Sequence, residues 1–173
     1  MVSPEHALRL ILKNTRSLGA ENVPLAESEG RVVAEDIFAR EDLPPFDSSA
    51  MDGFAVRARD CAQTSHRTSV SLKVGETLRA GALAVVKLRP GQAVKIMTGA
   101  PVPKGADAVV MKEFTSGNGD GCVNILRAPR RGQHIRCYGE DVHRGELILK
   151  KGTLIRPYEV ALLAAQGIKK IHA

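Results

Sequence analysis

Leu43-Pro44-Pro45-Phe46-Asp47-Ser48-Ser49-Ala50-Met51-Asp52-Gly53-Phe54-Ala55-Val56-Arg57 is the stretch at which the texture of this chain changes. Two prolines stiffen its start. Asp47, Ser48, Ser49 and Asp52 then crowd polar groups into a few residues. Gly53 lets the backbone turn or approach another group closely. Two readings of this loop stand side by side. In one, its carboxylates hold a metal ion or orient a substrate. In the other, Asp and Ser bond to their own backbone and the loop only connects elements.

Downstream, short β-like runs alternate with turn clusters: Gly53–Val56, Val70–Val74, Ala93–Met97, Ala108–Lys112 and Cys122–Leu126. Between the last two, Ser116-Gly117-Asn118-Gly119-Asp120-Gly121 is a hairpin signal, because Gly, Asn and Asp tolerate positive φ. Such spacing predicts a small, mostly antiparallel β unit. Upstream, Ser3 caps a helix, Pro4 suits its first position, and Leu8, Ile11, Leu12 and Leu18 follow at helical spacing up to Gly19. Val23-Pro24-Leu25 is an extended link, and a second short helix is expected over Glu27–Asp36 with Val32 and Val33 inward.

Past Gly139 the pattern becomes mixed again. Glu146–Leu149 reads as a strand and Lys151-Gly152 as a turn. Pro157 opens a helix through Tyr158–Gln166 that Gly167 ends, and Ile168–His172 is a final strand. The fold class expected is α+β. Residues 1–47 and 134–173 would form one discontinuous mixed α/β domain, and residues 48–133 a β domain inserted into it.

Composition narrows the function classes. Of 173 residues, 43% are hydrophobic and 25% charged, as in globular proteins. Aromatics are 3% with no Trp, so the core is aliphatic and base stacking on single-stranded nucleic acid has few platforms. The net charge of +6 allows an anionic partner, nucleic acid or a phosphate-bearing small molecule, although composition alone favours a basic surface with no partner in particular. No apolar run approaches the roughly 20 residues that span a bilayer, and the first residues lack the pattern of a signal peptide. Cys61, Cys122 and Cys137 are odd in number and scattered, which points to a reduced, cytoplasmic protein. The five histidines lie at 6, 66, 134, 143 and 172, without metal-site spacing.

Two further segments carry chemistry. Lys95-Ile96-Met97-Thr98-Gly99-Ala100-Pro101-Val102-Pro103-Lys104-Gly105-Ala106-Asp107-Ala108-Val109-Val110-Met111 runs a strand into a Thr-Gly loop. A hydroxyl beside a glycine backbone suits an anionic oxygen, and equally a plain strand connection. Arg127, Arg130, Arg131 and Arg136 place four arginines within ten residues, followed by Glu140 and Asp141. They can bind phosphate, or form a solvated basic loop with surface ion pairs.

Together these segments resemble the MoeA/gephyrin family of molybdopterin molybdenumtransferases. The motif Pro-x-Phe-Asp-x-Ser-Ala-Met-Asp-Gly-x-Ala-Val-Arg stands at Pro44–Arg57, and Ile-Met-Thr-Gly-Ala-Pro-Val-Pro-x-Gly-Ala-Asp-Ala-Val-Val at Ile96–Val110. Gly132-Gln133-x-Ile135-Arg136 leads to Gly139-Glu140-Asp141, and Gly152-Thr153, Glu159, Ala164 and Gly167-Ile168 also fit. The likeness covers essentially the whole chain. It departs at Ser48, where Asn is common, at Phe54, where Tyr is common, and at Cys137 and Tyr138, where basic residues are common.

The resemblance implies molybdenum cofactor biosynthesis: insertion of molybdate into adenylated molybdopterin with release of AMP and with Mg²⁺. It implies Asp52, Thr98 and Asp141 as catalytic positions, with Ser49, Gly99 and Arg136 as substrate contacts and Asp52 and Asp141 as metal ligands. It further implies an elongated homodimer whose site faces a third domain of the partner subunit. That third domain and a fourth would follow Ala173, so this stretch alone is expected to be inactive. Other enzymes of molybdenum-cofactor biosynthesis are further expected partners. A non-catalytic binding or scaffold module of the same fold is the alternative.

Overall fold

Capping and turn chemistry place the elements of the chain. In chain order these are helix α1 (Pro4–Asn14) and strands β1 (Asn22–Pro24), β2 (Ile37–Phe38), β3 (Ser48–Ser49), β4 (Gly53–Val56) and β5 (Val70–Leu78). Strands β6 (Gln92–Ile96), β7 (Ala108–Met111), β8 (Thr115–Gly117), β9 (Cys122–Ile125), β10 (Ile135–Arg136) and β11 (Leu147–Leu149) follow, then helix α2 (Pro157–Ala165) and strand β12 (Lys170–His172). The computed structural model describes residues 2–16, 18–65, 67–81, 86–117 and 120–173. The fold is α+β. It divides into two compact units, Met1–Arg40 with Gly145–Ala173, and Glu41–Arg144.

The unit made from the two chain ends is held by short antiparallel ladders. Strand β1 pairs with β12 in the register Val23↔Ile171, and β2 pairs with β11. Leu25, Val33, Leu149, Ile155, Leu163, Ile168 and Ile171 are buried together as its core. Helix α2 starts at Pro157, and Glu159 Oε2 accepts the Arg156 N–H at 2.9 Å, which satisfies a donor that the helix start leaves open. Gly167, at φ +66°, ends it. Ser3 caps α1 by accepting the His6 N–H at 3.3 Å. That helix stops at Asn14, short of Gly19. Asn14 Nδ2 donates to Leu10 O and Thr15 Oγ1 to Ile11 O, both at 2.8 Å, so side chains satisfy the last carbonyls.

The helix expected over Glu27–Asp36 does not form. A single 3-10 turn covers Leu25–Glu27, and Gly30 then takes φ +79°. Beyond it the chain is extended: Val33 N–H donates to Thr153 O, Ile155 N–H to Arg31 O, and Val32 bridges Leu154. The β-branched pair Val32-Val33 alternates outward and inward, the period of a strand rather than a helix.

The second unit carries a six-stranded sheet in the order β7-β4-β6-β5-β9-β8. Its pairs are antiparallel except β5 with β6, which run parallel. Strands β8 and β9 form the hairpin expected around Ser116–Gly121, whose Asn118 and Gly119 lie outside the described residues. Neighbouring residues feed opposite faces. Val56, Ala93 and Val110 join one buried cluster, while Ala55, Val94 and Val109 join another.

The domain boundaries expected at Ser48 and Gln133 and the division into units differ by residues 41–47 and 134–144. These two stretches pair with each other. Leu43 N–H donates to Val142 O at 2.8 Å, Asp141 N–H to Leu43 O at 2.9 Å and Gly139 N–H to Pro44 O at 2.9 Å.

Candidate functional site

The three motif segments meet around residues 47–52. Ser49 N–H donates to Ala100 O at 2.9 Å, Gly99 N–H to Ser49 O at 2.8 Å and Val102 N–H to Asp47 O at 2.8 Å, which ties the first segment to the second. Strand β3 pairs with β10, and Ala50 N–H donates to His134 O at 2.9 Å, which ties the first to the third. His134 holds φ +57°, a conformation uncommon outside glycine. Ser49 is buried, and its hydroxyl donates to Met51 O at 2.6 Å. It therefore shapes the turn from within.

That turn delivers Asp52 to Thr98. Asp52 Oδ1 accepts both the Thr98 N–H and the Thr98 Oγ1–H, each at 2.8 Å. The two hydrogen bonds favour the charged form, and with the nearby Lys112 they hold the Asp52 carboxyl below its ordinary range despite some desolvation. Asp52 Oδ2 makes no hydrogen bond among the described residues. Thr98 opens from a tight turn: Ala100 N–H returns to Met97 O at 3.0 Å, with Gly99 at φ +77° as that turn requires. The backbone beneath is equally constrained. Gly53 lies between β6 and β7, where a Cβ would stand 2.0 Å from Val110 O, so only glycine fits.

Arg136, Glu140 and Asp141 form a second constellation. Arg136 Nε donates to Glu140 Oε1 at 2.7 Å, Nη2 donates to Asp141 Oδ2, and Cys137 N–H donates to Glu140 Oε2 at 2.8 Å. The Glu140 and Asp141 hydrogen bonds raise the Arg136 pKa. An anion approaching Arg136 must compete with two carboxylates. No group of three or more His, Cys, Asp or Glu is gathered for a metal ion among the described residues. The donor set therefore offers no protein cage. It does offer the open Asp52 oxygen, and Mg²⁺ is commonly held by one or two carboxylates with substrate phosphates and water.

A network around Asp42 escaped the sequence reading. Asp42 Oδ2 accepts the Tyr138 hydroxyl at 2.6 Å, while Oδ1 faces His143 Nδ1 at 3.4 Å and Arg144 N at 3.3 Å. Asp47 Oδ1 accepts Tyr138 N–H at 2.8 Å. The partners are more than ninety residues apart in sequence, and local spacing carries no signal of them. Tyr138 links Asp42 to Asp47, through its hydroxyl and its N–H.

Comparison with known proteins bears on this arrangement. Residues 2–167 match the family described as MoeA N-terminal region (domain I and II). The chain belongs to that family. Relatives include molybdopterin molybdenumtransferase 2 of Mycobacterium tuberculosis, 40% identical over 171 residues, covering 99% of this chain and 42% of the relative. The molybdopterin molybdenumtransferase of Bacillus subtilis is 41% identical over 170 residues, covering 96% of this chain and 40% of the relative. Among solved structures, the molybdopterin biosynthesis moeA protein of Pyrococcus horikoshii OT3 matches with a TM-score of 0.90 and 44% identity, over 100% of this chain and 46% of that one. The chain thus spans about two fifths of the length of the curated relatives it matches. No helix is long and apolar enough to cross a membrane among the described residues.

Proposed function

We propose that this chain supplies the front portion of a composite site that inserts molybdate into adenylated molybdopterin with release of AMP. The observation that carries the reading is the convergence of the three motif segments, which sets Thr98 N–H and Oγ1 on Asp52 Oδ1 and leaves the other oxygen open. Asp52 is half-buried and Thr98 exposed, so the pair stands where a ligand can reach the open oxygen. Asp52 would be a Mg²⁺ ligand, with Asp141 as a second only through the oxygen that Arg136 does not engage. A bound Mg²⁺ supplies charge neutralisation to a pyrophosphate under cleavage. Ser49 and Gly99 fix the loop backbones, Thr98 fixes the Asp52 rotamer, and Arg136 meets substrate anion by exchange with Glu140 and Asp141.

Residues 41–144 would act as the inserted domain and the two chain ends as one discontinuous, dimer-forming domain. A homodimer is supported by α1, in which no residue is buried although Leu8, Ile11 and Leu12 are large and apolar. The missing part of the site would come from the further length that the relatives possess. Cys61, Cys122 and Cys137 are free thiols, which suits a reducing compartment and hence the cytoplasm.

The test is Asp52→Ala, measured in a protein that joins this chain to the remaining length of its relatives. Loss of positioning predicts a fall in molybdate insertion and AMP release of about a hundredfold or more, with an unchanged circular-dichroism spectrum. Insertion at near the unmodified rate by the folded variant would falsify the role of Asp52.

A further inference from the structure

Loop 127–133 carries the three arginines other than Arg136 that spacing left between phosphate binding and a solvated basic loop. Its backbone is fixed in advance of any ligand. Pro129 is buried and anchors it. Gln133 N–H donates to Arg130 O at 3.1 Å, and Arg130 N–H donates to Gln133 Oε1 at 2.9 Å, so the turn is closed twice. Gly132 takes φ +79° within that turn. Its N–H donates to Asp107 O at 2.7 Å, and Val109 N–H donates to Gln133 O at 2.9 Å, which fastens the turn to β7.

The side chains on this rigid turn are cationic and uncompensated. Arg127, Arg130 and Arg131 are exposed and line a concavity of about 700 Å³ with no carboxylate in its wall. None of the three forms an ion pair among the described residues, whereas Arg136 carries both Glu140 and Asp141. The residues outside the described set include no Asp or Glu. Asp107, whose carbonyl fastens the loop, accepts the Ala58 N–H at its Oδ1, 2.6 Å away. Arg127 lies over the Phe114 ring, 5.1 Å from its centroid. A contact with the ring face holds the Arg127 guanidinium by cation–π attraction without a carboxylate partner.

We propose that Arg127, Arg130 and Arg131 form a second anion site, which takes the oligophosphate group of a small molecule. Several planar forks converging on one concavity match a ligand with several anionic oxygens, each fork binding two of them. The concavity is open to solvent, which suits a charged group that keeps part of its hydration. Single-stranded nucleic acid would require charges tracked along a groove and open aromatic faces. Here the charges gather at one turn, and Arg127 covers the Phe114 face.

The test is calorimetric titration of the 173-residue chain with pyrophosphate at low salt, with orthophosphate and a single-stranded oligonucleotide as parallel arms. The double variant Arg130→Gln/Arg131→Gln is expected to weaken pyrophosphate binding by about tenfold or more. Arg130→Lys/Arg131→Lys keeps charge but loses the fork, and falls between. Lys150→Gln/Lys151→Gln removes the same charge elsewhere and leaves affinity within about twofold, as short-range contacts require. Orthophosphate binds more weakly than pyrophosphate. The proposal is overturned if the glutamine pair leaves pyrophosphate binding intact or the lysine control weakens it equally. Binding of the oligonucleotide without pyrophosphate would also overturn it, in favour of a nucleic-acid surface.

Discussion

The two units solve the burial problem differently. In residues 41–144, strands β4, β6 and β7 bury both faces, and two aliphatic clusters enclose the sheet between them. In the unit built from the chain ends, one cluster sits behind two short ladders and α2, and α1 contributes no buried residue. The sheet unit is complete in itself, and it carries the Asp52–Thr98 pair and the arginine turn. The end unit leaves Leu8, Ile11 and Leu12 open to water. The contrast lies in what each unit leaves exposed: the loop residues Thr98, Arg130 and Arg131 in one, and the apolar side chains of α1 in the other.

Gly53→Ala strikes hardest at the self-sufficient unit. The added Cβ would meet Val110 O at 2.0 Å and Met111 Cα at 3.0 Å, both backbone, and neither can swing aside. Strands β4 and β7 must separate, at a cost beyond the roughly 1–3 kcal/mol of ordinary overpacking. Loss of the cooperative transition of the sheet unit in thermal unfolding is expected. A shift of only a degree or two would show that β4 and β7 part cheaply, and the picture of a closed sheet would fail.

The second prediction addresses the open unit. Leu8→Glu/Leu12→Glu touches no buried residue, so the unfolding midpoint should barely move. Burial of a leucine contributes about 1.5–3 kcal/mol, and if α1 lies in a dimer the double variant weakens self-association by about a hundredfold or more. Sedimentation velocity over a concentration series reads this directly. A large fall in stability with unchanged association would mean that α1 packs within its own chain.

What was legible in the sequence followed local chemistry. Strand β4 stands at the residues where alternation and turn residues place it, and α2 begins at Pro157 and stops before Gly167 for reasons written in those two residues. The helix expected over Glu27–Asp36 gives way at Gly30 and at the Val32-Val33 pair, whose extended partners lie more than a hundred residues away. The site divides in the same way. The motif loops were visible, but the meeting of Asp52 with Thr98, forty-six residues on, is a product of sheet order. The capture of Arg136 by Glu140 and Asp141 was one of two readings left open by spacing, and only geometry selects it. The Asp42 network was invisible because the groups that meet Asp42, on Tyr138, His143 and Arg144, all lie more than ninety residues further along the chain.

That network gives the smallest expected effect and sharpens the contrast at the edge of the sheet unit. The Tyr138 hydroxyl first, then the Arg144 N–H and His143, hold the Asp42 carboxyl below its ordinary value, against some desolvation. A carboxyl whose folded pKa is depressed stabilises the fold above its unfolded pKa, near 3.9, and that share is lost as pH falls through the lower folded value. The same hydrogen bond raises the Tyr138 pKa, so its phenol contributes stability below its unfolded pKa, near 10, which is lost as pH rises through the folded value. Asp42→Asn removes both dependences and keeps an acceptor for the hydroxyl. The unfolding midpoint should then fall less steeply below about pH 4 and above about pH 10 than in the unmodified chain, with little change near neutrality. If both limbs keep their slopes, Asp42 is a solvated surface carboxylate and the 41–47 and 134–144 stretches are held by their backbone pairing alone.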